Sequence, residues 1–171
     1  MKKNLILVFN IFCSTLFLNA KDSITVYIFL LDECRICQEL TPELNTLYTT
    51  YGHVIGFIGL FPNFSSKKKE IKEFKEKYKI KFDTKTDYFK TQALRFDATI
   101  LPEVIVYNET QKQIIYKGAI NDLYYSPGRR RQIVTKNYLK DALIASINGK
   151  QPAIKESQPV GCFINFNDPL N

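Results

Sequence analysis

The chain has 171 residues, 45% of them hydrophobic and 24% charged, with 4 Cys, 1 His and a formal net charge of +7. That length suits one domain, and the apolar share is ample for a core. Seven Gly and seven Pro exclude a collagen-like or low-complexity chain. A single His excludes a poly-histidine metal site, and four Cys are too few for a disulfide-framework miniprotein but enough for a redox pair.

Lys2-Lys3 followed by the apolar run Leu5 to Leu18, with Ala20 before Lys21-Asp22, reads as a secretory signal peptide over residues 1–20. The run is short for a membrane span, which takes roughly 20 apolar residues. Membrane anchoring would follow only if the signal stayed uncleaved. Cleavage after Ala20 would remove Cys13, Lys2 and Lys3, leaving Cys34, Cys37 and Cys162 and lowering the net charge from +7 to +5. It would also deliver the chain to a periplasmic or secreted, disulfide-permissive setting.

Beyond the signal, strands and helices alternate. Residues 23–31 (SITVYIFLL) are dense in β-branched and aromatic residues and predict a buried strand. From Cys34 to Tyr51, Leu40, Leu44, Leu47, Tyr48 and Tyr51 recur at helical spacing. Val54 to Phe61 predicts a second strand. Ser65-Ser66 reads as the cap of a charged helix over Lys67 to Lys79, with Ile71, Phe74 and Tyr78 inward. A short helix is expected over Tyr88 to Phe96, and a strand pair over Glu103 to Tyr107 and Gln113 to Lys117. A last helix should run from Thr135 to Asn148, with Tyr138, Leu139, Leu143 and Ile147 inward and Gly149 as its stop. Residues 150–171 carry three Pro and no clear period, and are expected to form a tail on a domain spanning residues 21–149. The order implies right-handed crossovers, a partly parallel sheet finished by antiparallel strands, and a three-layer α/β/α sandwich.

The basic charge has two addresses. Seven lysines between Lys67 and Lys79 interleave with Glu70, Glu73 and Glu76, the pattern of a solvated helix face with i,i+4 ion pairs. Arg129-Arg130-Arg131 follows Pro127-Gly128 and reads as a loop, either solvated or in contact with an anion or acidic partner. A nucleic-acid surface is not expected in a secreted chain.

Cys34-Arg35-Ile36-Cys37 carries the chemistry. The two thiols follow a buried strand and open a helix, where free backbone N–H groups and the helix dipole stabilise a thiolate at Cys34. Arg35 adds positive charge and Glu33 opposes it, so both are expected to modulate the site. Cys34 should attack and Cys37 should resolve. A structural bridge and half a zinc site are the alternatives, but zinc takes about four ligands. Only Cys162 and His53 remain, and His53 lies at the far end of the helix. No metal and no cofactor are expected.

The chain resembles the thioredoxin-fold redoxins (thiol-disulfide oxidoreductases and alkyl-hydroperoxide-reductase-like proteins). The resemblance rests on the strand leading into C-x-x-C, on Pro42 five residues after Cys37, and on Thr99-Ile100-Leu101-Pro102-Glu103-Val104, which is similar to the cis-proline loop. It implies a thioredoxin-like mixed sheet with Pro102 beside the Cys pair and the backbone of Leu101 pairing with an extended substrate segment. Residues 116–122, the Gly128–Arg131 stretch and Val160-Gly161-Cys162 look similar to a secreted bacterial subgroup. Glu33 and Arg35-Ile36 depart from the Trp and Gly-Pro of thioredoxin, and Ile28 replaces its buried acid. Tyr27 and Leu31 stand where a peroxidase would carry Pro and Thr, and no His follows His53, as a copper chaperone would need.

These residues imply an extracytoplasmic thiol-disulfide oxidoreductase acting on protein or small-molecule thiols and disulfides. A binding or metal-handling module with a structural Cys pair, or a thiol peroxidase, is the alternative. Cys162 is a candidate third redox thiol, which the tail would have to bring back to Cys34.

Overall fold

The computed structural model describes residues 23–167. The signal reading of residues 1–20 therefore falls outside the described residues.

Strand β1 (Ile24–Phe29) runs into helix α1 (Arg35–Tyr51), which returns through strand β2 (Gly56–Phe61) to helix α2 (Lys68–Lys77). Strand β3 (Asp83–Thr86), a short helix α3 (Thr91–Arg95) and the two-residue strand β4 (Ile100–Leu101) follow. Strands β5 (Glu103–Asn108) and β6 (Gln113–Gly118) form a hairpin. After it come a small hairpin of β7 (Tyr124–Ser126) and β8 (Arg129–Arg130), helix α4 (Tyr138–Ile147), and strand β9 (Cys162–Phe163) in the tail.

The main sheet has the order β3-β2-β1-β5-β6. β1, β2 and β3 are parallel, and β5 and β6 are antiparallel, so the mixed sheet matches the expected crossovers. On β2, Phe57 meets Tyr48 of α1 edge to face at 5.5 Å, and Phe61 meets Phe74 of α2 at 5.9 Å. These two residues share one face of the strand, because side chains alternate along it. The opposite face of β1 and β5 carries Tyr27 and Tyr107, which pack on Phe96 just after α3 at 4.9 and 5.3 Å. Helical segments on both faces make the three layers. Val26, Ile28, Leu44, Val104, Ile105 and Val106 are sealed from solvent between them.

Several local expectations are corrected. Strand β3 was not foreseen, because its sequence DTKT has neither apolar content nor alternation. It forms because β2 offers a parallel edge, with Ile58 opposite Asp83 and Phe61 opposite Thr86. Ser65-Ser66 does not cap α2. Lys67 is the N-cap and makes no side-chain cap bond, while the Ser66 hydroxyl donates to Asp32 Oδ1 instead. Val54 lies in a turn before β2 and is partly exposed. α4 starts three residues later than expected, and its inward face is Leu139, Ala142 and Leu143, with Ile147 at 39% exposure. The charged face of α2 does carry i,i+4 ion pairs, Lys69–Glu73 at 3.8 Å and Lys72–Glu76 at 3.9 Å. Exposed pairs of this kind add little stability.

The tail is built into the fold. Its entry is pinned to β6: the Lys117 amide donates to the Lys155 carbonyl and the Ser157 amide to the Lys117 carbonyl, both at 3.0 Å. Ser157 Oγ accepts from the Ala119 amide at 3.0 Å and shares a hydrogen bond with the Tyr116 hydroxyl at 2.7 Å. Gly118 makes this crossing feasible. Its φ is +136°, and a Cβ there would sit 2.0 Å from the Ser157 carbonyl oxygen.

Candidate active site

The site forms where β1 ends. Cys34 takes the N-cap position of α1 in extended backbone (φ −75°, ψ 114°), and its amide donates to the Leu31 carbonyl at 3.1 Å. The first-turn amides of α1 have no carbonyl of their own helix to bind, so they are free to serve a sulfur at the cap. Cys37, one turn in, is fully buried, and Cys34 is 2% exposed. Pro42 lies inside the helix, after that first turn.

Opposite the helix start runs the loop of Leu101 and Pro102, joined by a cis peptide bond as the sequence led us to expect. Both residues are buried. The loop is held from behind by Glu103, a carboxylate only 2% exposed. Glu103 Oε2 accepts from the amides of Thr99 at 3.1 Å and Ile100 at 3.4 Å, and Lys117 Nζ stands 3.8 Å from its other oxygen. Burial pushes the Glu103 carboxyl above its ordinary range, against the pull of those amides and of Lys117. Reading the sequence as a plain strand start missed this role. The signal was a Glu placed directly after the loop proline in an otherwise apolar strand.

The third thiol arrives from the tail. β9 pairs antiparallel with β4, setting Cys162 opposite Leu101 and Phe163 opposite Ile100, and the Ile164 amide donates to the Thr99 carbonyl at 2.9 Å. Asn63, buried after Pro62, clamps the same segment. Its Nδ2 donates to the Phe163 carbonyl at 3.1 Å, and its Oδ1 accepts from the Asn165 amide at 2.9 Å. Gly161 passes so close to the loop that a Cβ would lie 1.9 Å from the Leu101 carbonyl oxygen. The Leu101 edge, which the resemblance assigned to a substrate segment, thus carries the chain's own Cys162.

The result is a cluster of three free thiols. Cys162 Sγ stands 2.7 Å from Cys34 Sγ, and Cys34 Sγ lies 3.3 Å from the Leu101 carbonyl oxygen. Hydrogen bonding from the Cys37 thiol is the main cause that lowers the Cys34 pKa from 9.0 to about 5, ahead of the Cys162 thiol and the backbone amides of both residues, while burial opposes the shift. As a thiol, Cys34 can donate once, to Leu101. The bonds it accepts strengthen in the thiolate and favour ionisation, while loss of the bond to Leu101 opposes it. Burial first, and then the neighbouring Cys34, pushes Cys37 well up and Cys162 up to about 12. Cys34 is therefore the sulfur of the cluster that ionises most readily, and the other two hold their protons more tightly.

Arg35 and Glu33 are both exposed. The Arg35 guanidinium is engaged by Glu39 at 2.8 Å, and the low pKa of Cys34 has its causes in the other two thiols rather than in Arg35. The Arg129–Arg131 stretch is not the loop the sequence suggested, because Arg129 and Arg130 form β8. Arg130 reaches Glu39 at 3.0 Å, the Tyr124 hydroxyl donates to the same carboxylate, and Arg131 pairs with Asp122 at 3.3 Å. The two bonds to Glu39 fasten the small hairpin to α1, and the Asp122 pair ties it to the segment after β6. Arg35, Ile36, Glu39, Tyr124, Gly128 and Arg130 line a cavity of about 320 Å³ there. A larger groove of about 600 Å³, between α2 and β3, is lined by Lys68, Lys72, Lys75 and Lys85 and contains none of the three thiols. No group of three or more His, Cys, Asp or Glu among the described residues is placed to hold a metal ion.

No protein-family model matches the chain, and no curated protein matches it. Solved structures do. A hypothetical protein from Sinorhizobium meliloti superposes with a TM-score of 0.75 at 19% identity, covering 87% of this chain and 82% of that one. A thioredoxin-like protein in its oxidised form gives 0.57 at 15% identity, over 75% and 80% of the two chains. MTB dsbF, in mixed oxidised and reduced forms, gives 0.55 at 17% identity, over 73% and 81%. The chain has the thioredoxin fold.

Proposed function

We propose that this protein is an extracytoplasmic thiol-disulfide oxidoreductase that works through Cys34. The observation that carries the reading is the Cys34 sulfur at the N-cap of α1, 2.7 Å from the Cys162 sulfur and 3.3 Å from the Leu101 carbonyl of the Leu101–Pro102 loop. A thiolate, not a thiol, attacks disulfides, and a thiolate held at about pKa 5 is present at neutral pH. The similarity to a thioredoxin-like protein in its oxidised form supports the same chemistry. The apolar run of residues 1–20 supports a location in the cell envelope or beyond it.

The reaction runs in two displacements. Cys34 Sγ⁻ attacks one sulfur of a substrate disulfide, a Cys34–substrate disulfide forms, and the other substrate sulfur leaves as a thiolate that takes a proton from water. A resolving thiol then gives its proton to water and attacks Cys34 Sγ, and the second substrate thiolate leaves and is protonated. The substrate gains two electrons and two protons, and two protein thiols become one disulfide. Cys37 is the resolving thiol within the helix, and Cys162 is a second one, 2.7 Å from Cys34. With a substrate dithiol the same steps run backwards. A strongly stabilised thiolate favours the reduced form and so favours oxidation of partner dithiols.

Reduction of a peptide disulfide by dithiothreitol, with catalytic amounts of wild type or of Cys34→Ser, tests the reading. Loss of at least about 100-fold in rate is expected for removal of a nucleophile. Equal rates would reject it.

A further inference from the structure

Strand β9 stands where an extended substrate would pair. It takes the free edge of β4 at Leu101, the residue beside Pro102 and 3.3 Å from the Cys34 sulfur. It also presents a cysteine to that sulfur, with Cys162 opposite Leu101 and 2.7 Å from Cys34. A peptide strand added to a sheet edge binds through main-chain hydrogen bonds, so one edge takes one strand at a time. The residue before the cysteine is a glycine whose hydrogen fits against the Leu101 carbonyl, where any Cβ would collide at 1.9 Å. Two further contacts, both from Asn63, close the segment down. With the strand in place the attacking residue is only 2% exposed.

We infer that β9 is an internal substrate strand, which competes with outside peptide disulfides for the Leu101 edge and must leave before one of them reaches Cys34. This rests on the oxidoreductase reading for what the site acts on, but the occupancy of the edge does not. The tail is suited to such an exchange. Its anchor at Ser157 on β6 lies upstream of Gly161, so residues 160–167 can swing away while residues 155–157 stay fixed. The docked strand also describes the class of partner that fits: an extended, cysteine-bearing segment with a very small residue before the cysteine.

The test is the alkylation of Cys34 by iodoacetamide in the fully reduced chain, followed cysteine by cysteine by mass spectrometry. It is run at about pH 9, above the ordinary thiol pKa of about 8.5, so that differences in ionisation contribute little. Gly161→Val, which drives β9 off the edge by collision, and Asn63→Ala, which removes both clamps from another segment, are each expected to raise the rate at least about 10-fold through local opening. Cys162→Ser keeps the strand pairing and is expected to stay within about 3-fold of wild type. An unchanged rate in Gly161→Val overturns the inference. So does a Cys162→Ser rate equal to that of Gly161→Val, since protection would then belong to the sulfur alone. Peptide-disulfide reduction by wild type and Cys34→Ser separates the two readings: if Cys34→Ser reduces as fast as wild type, the oxidoreductase reading fails while the alkylation ratio still decides the strand.

Discussion

Cys162 stands opposite Leu101 in the β4–β9 ladder, and that register places its sulfur 2.7 Å from Cys34, 128 residues earlier in the chain. The C-x-x-C pair is thus not a two-thiol site. A third sulfur shares its proton balance and reaches Cys34 itself.

Disulfide connectivity follows from this arrangement. Wild type oxidised with excess oxidised glutathione should yield Cys34 linked in part to Cys37 and in part to Cys162, and Cys37→Ser should yield the Cys34–Cys162 bond alone. Non-reducing peptide mapping reads both. Cys34 joined only to Cys37, with Cys162 fully alkylatable, would remove Cys162 from the chemistry.

The pH dependence of the reduced chain has a definite sign. Folding lowers the Cys34 pKa from 9.0 to about 5, so its contribution to stability is complete above about pH 9 and is lost as pH falls towards 5. Cys37 and Cys162 are shifted upward, so their contribution is present below pH 9 and is lost as pH rises above it. Urea midpoints of the reduced protein should therefore climb from pH 5 towards 9 and fall beyond. Cys34→Ser should flatten the climb, and an unchanged profile in that variant would contradict the assignment of the thiolate.

A stabilised thiolate also sets the redox poise. Equilibration with glutathione buffers should give a reduction potential less negative than the roughly −270 mV of thioredoxin, because the reduced state holds the more stable anion. Replacing Cys162 with Ser exchanges the weak thiol donor for a hydroxyl donor and should leave the Cys34–Cys37 couple on the same side of that value.

Glu103 supports the loop, and its removal should cost stability as well as activity. Glu103→Ala leaves the Thr99 and Ile100 amides without their acceptor and Lys117 without its buried partner, for a loss of about 2–4 kcal/mol. Glu103→Gln keeps an acceptor and should lose less. Chemical denaturation of the two variants checks the order.

Gly118 tests how firmly the tail is built in. A Cβ there collides with Ser157 on a backbone whose φ of +136° suits glycine alone, so Gly118→Ala should cost at least about 2 kcal/mol and loosen residues 155–157. Hydrogen exchange at the Ser157 amide, which donates to Lys117, would read the loosening directly. An exchange rate equal to that of wild type would show the anchor to be unimportant.

What the sequence made legible is the part written in short-range pattern. The β-branched run of β1, the helical spacing of Leu40, Leu44 and Leu47, and the placement of Cys34-x-x-Cys37 between them were sufficient to predict a mixed-sheet α/β fold with the Cys pair where β1 gives way to α1. β3 was invisible because DTKT owes its strand to the neighbouring edge of β2, not to its own composition. β8 carries no strand signal of its own, since arginines rarely mark a strand. Its hairpin is held by Glu39 and Asp122, 91 and 9 residues away from their arginines. Glu103 and Asn63 looked like ordinary polar residues, since their roles depend on amides delivered from distant segments. Arg35, in turn, looked like the natural promoter of the thiolate, but its charge is taken up by Glu39 one turn along the helix.

Cys34 is the proposed attacking sulfur. Its most direct test is the trapping of the covalent intermediate in a chain carrying Cys37→Ala and Cys162→Ser, where neither resolving thiol remains. Incubated with an oxidised cysteine peptide and digested without reductant, this variant should show one peptide per chain, bound at Cys34, and the additional change Cys34→Ser should abolish it. A chain that forms no adduct at Cys34 under those conditions would contradict the account.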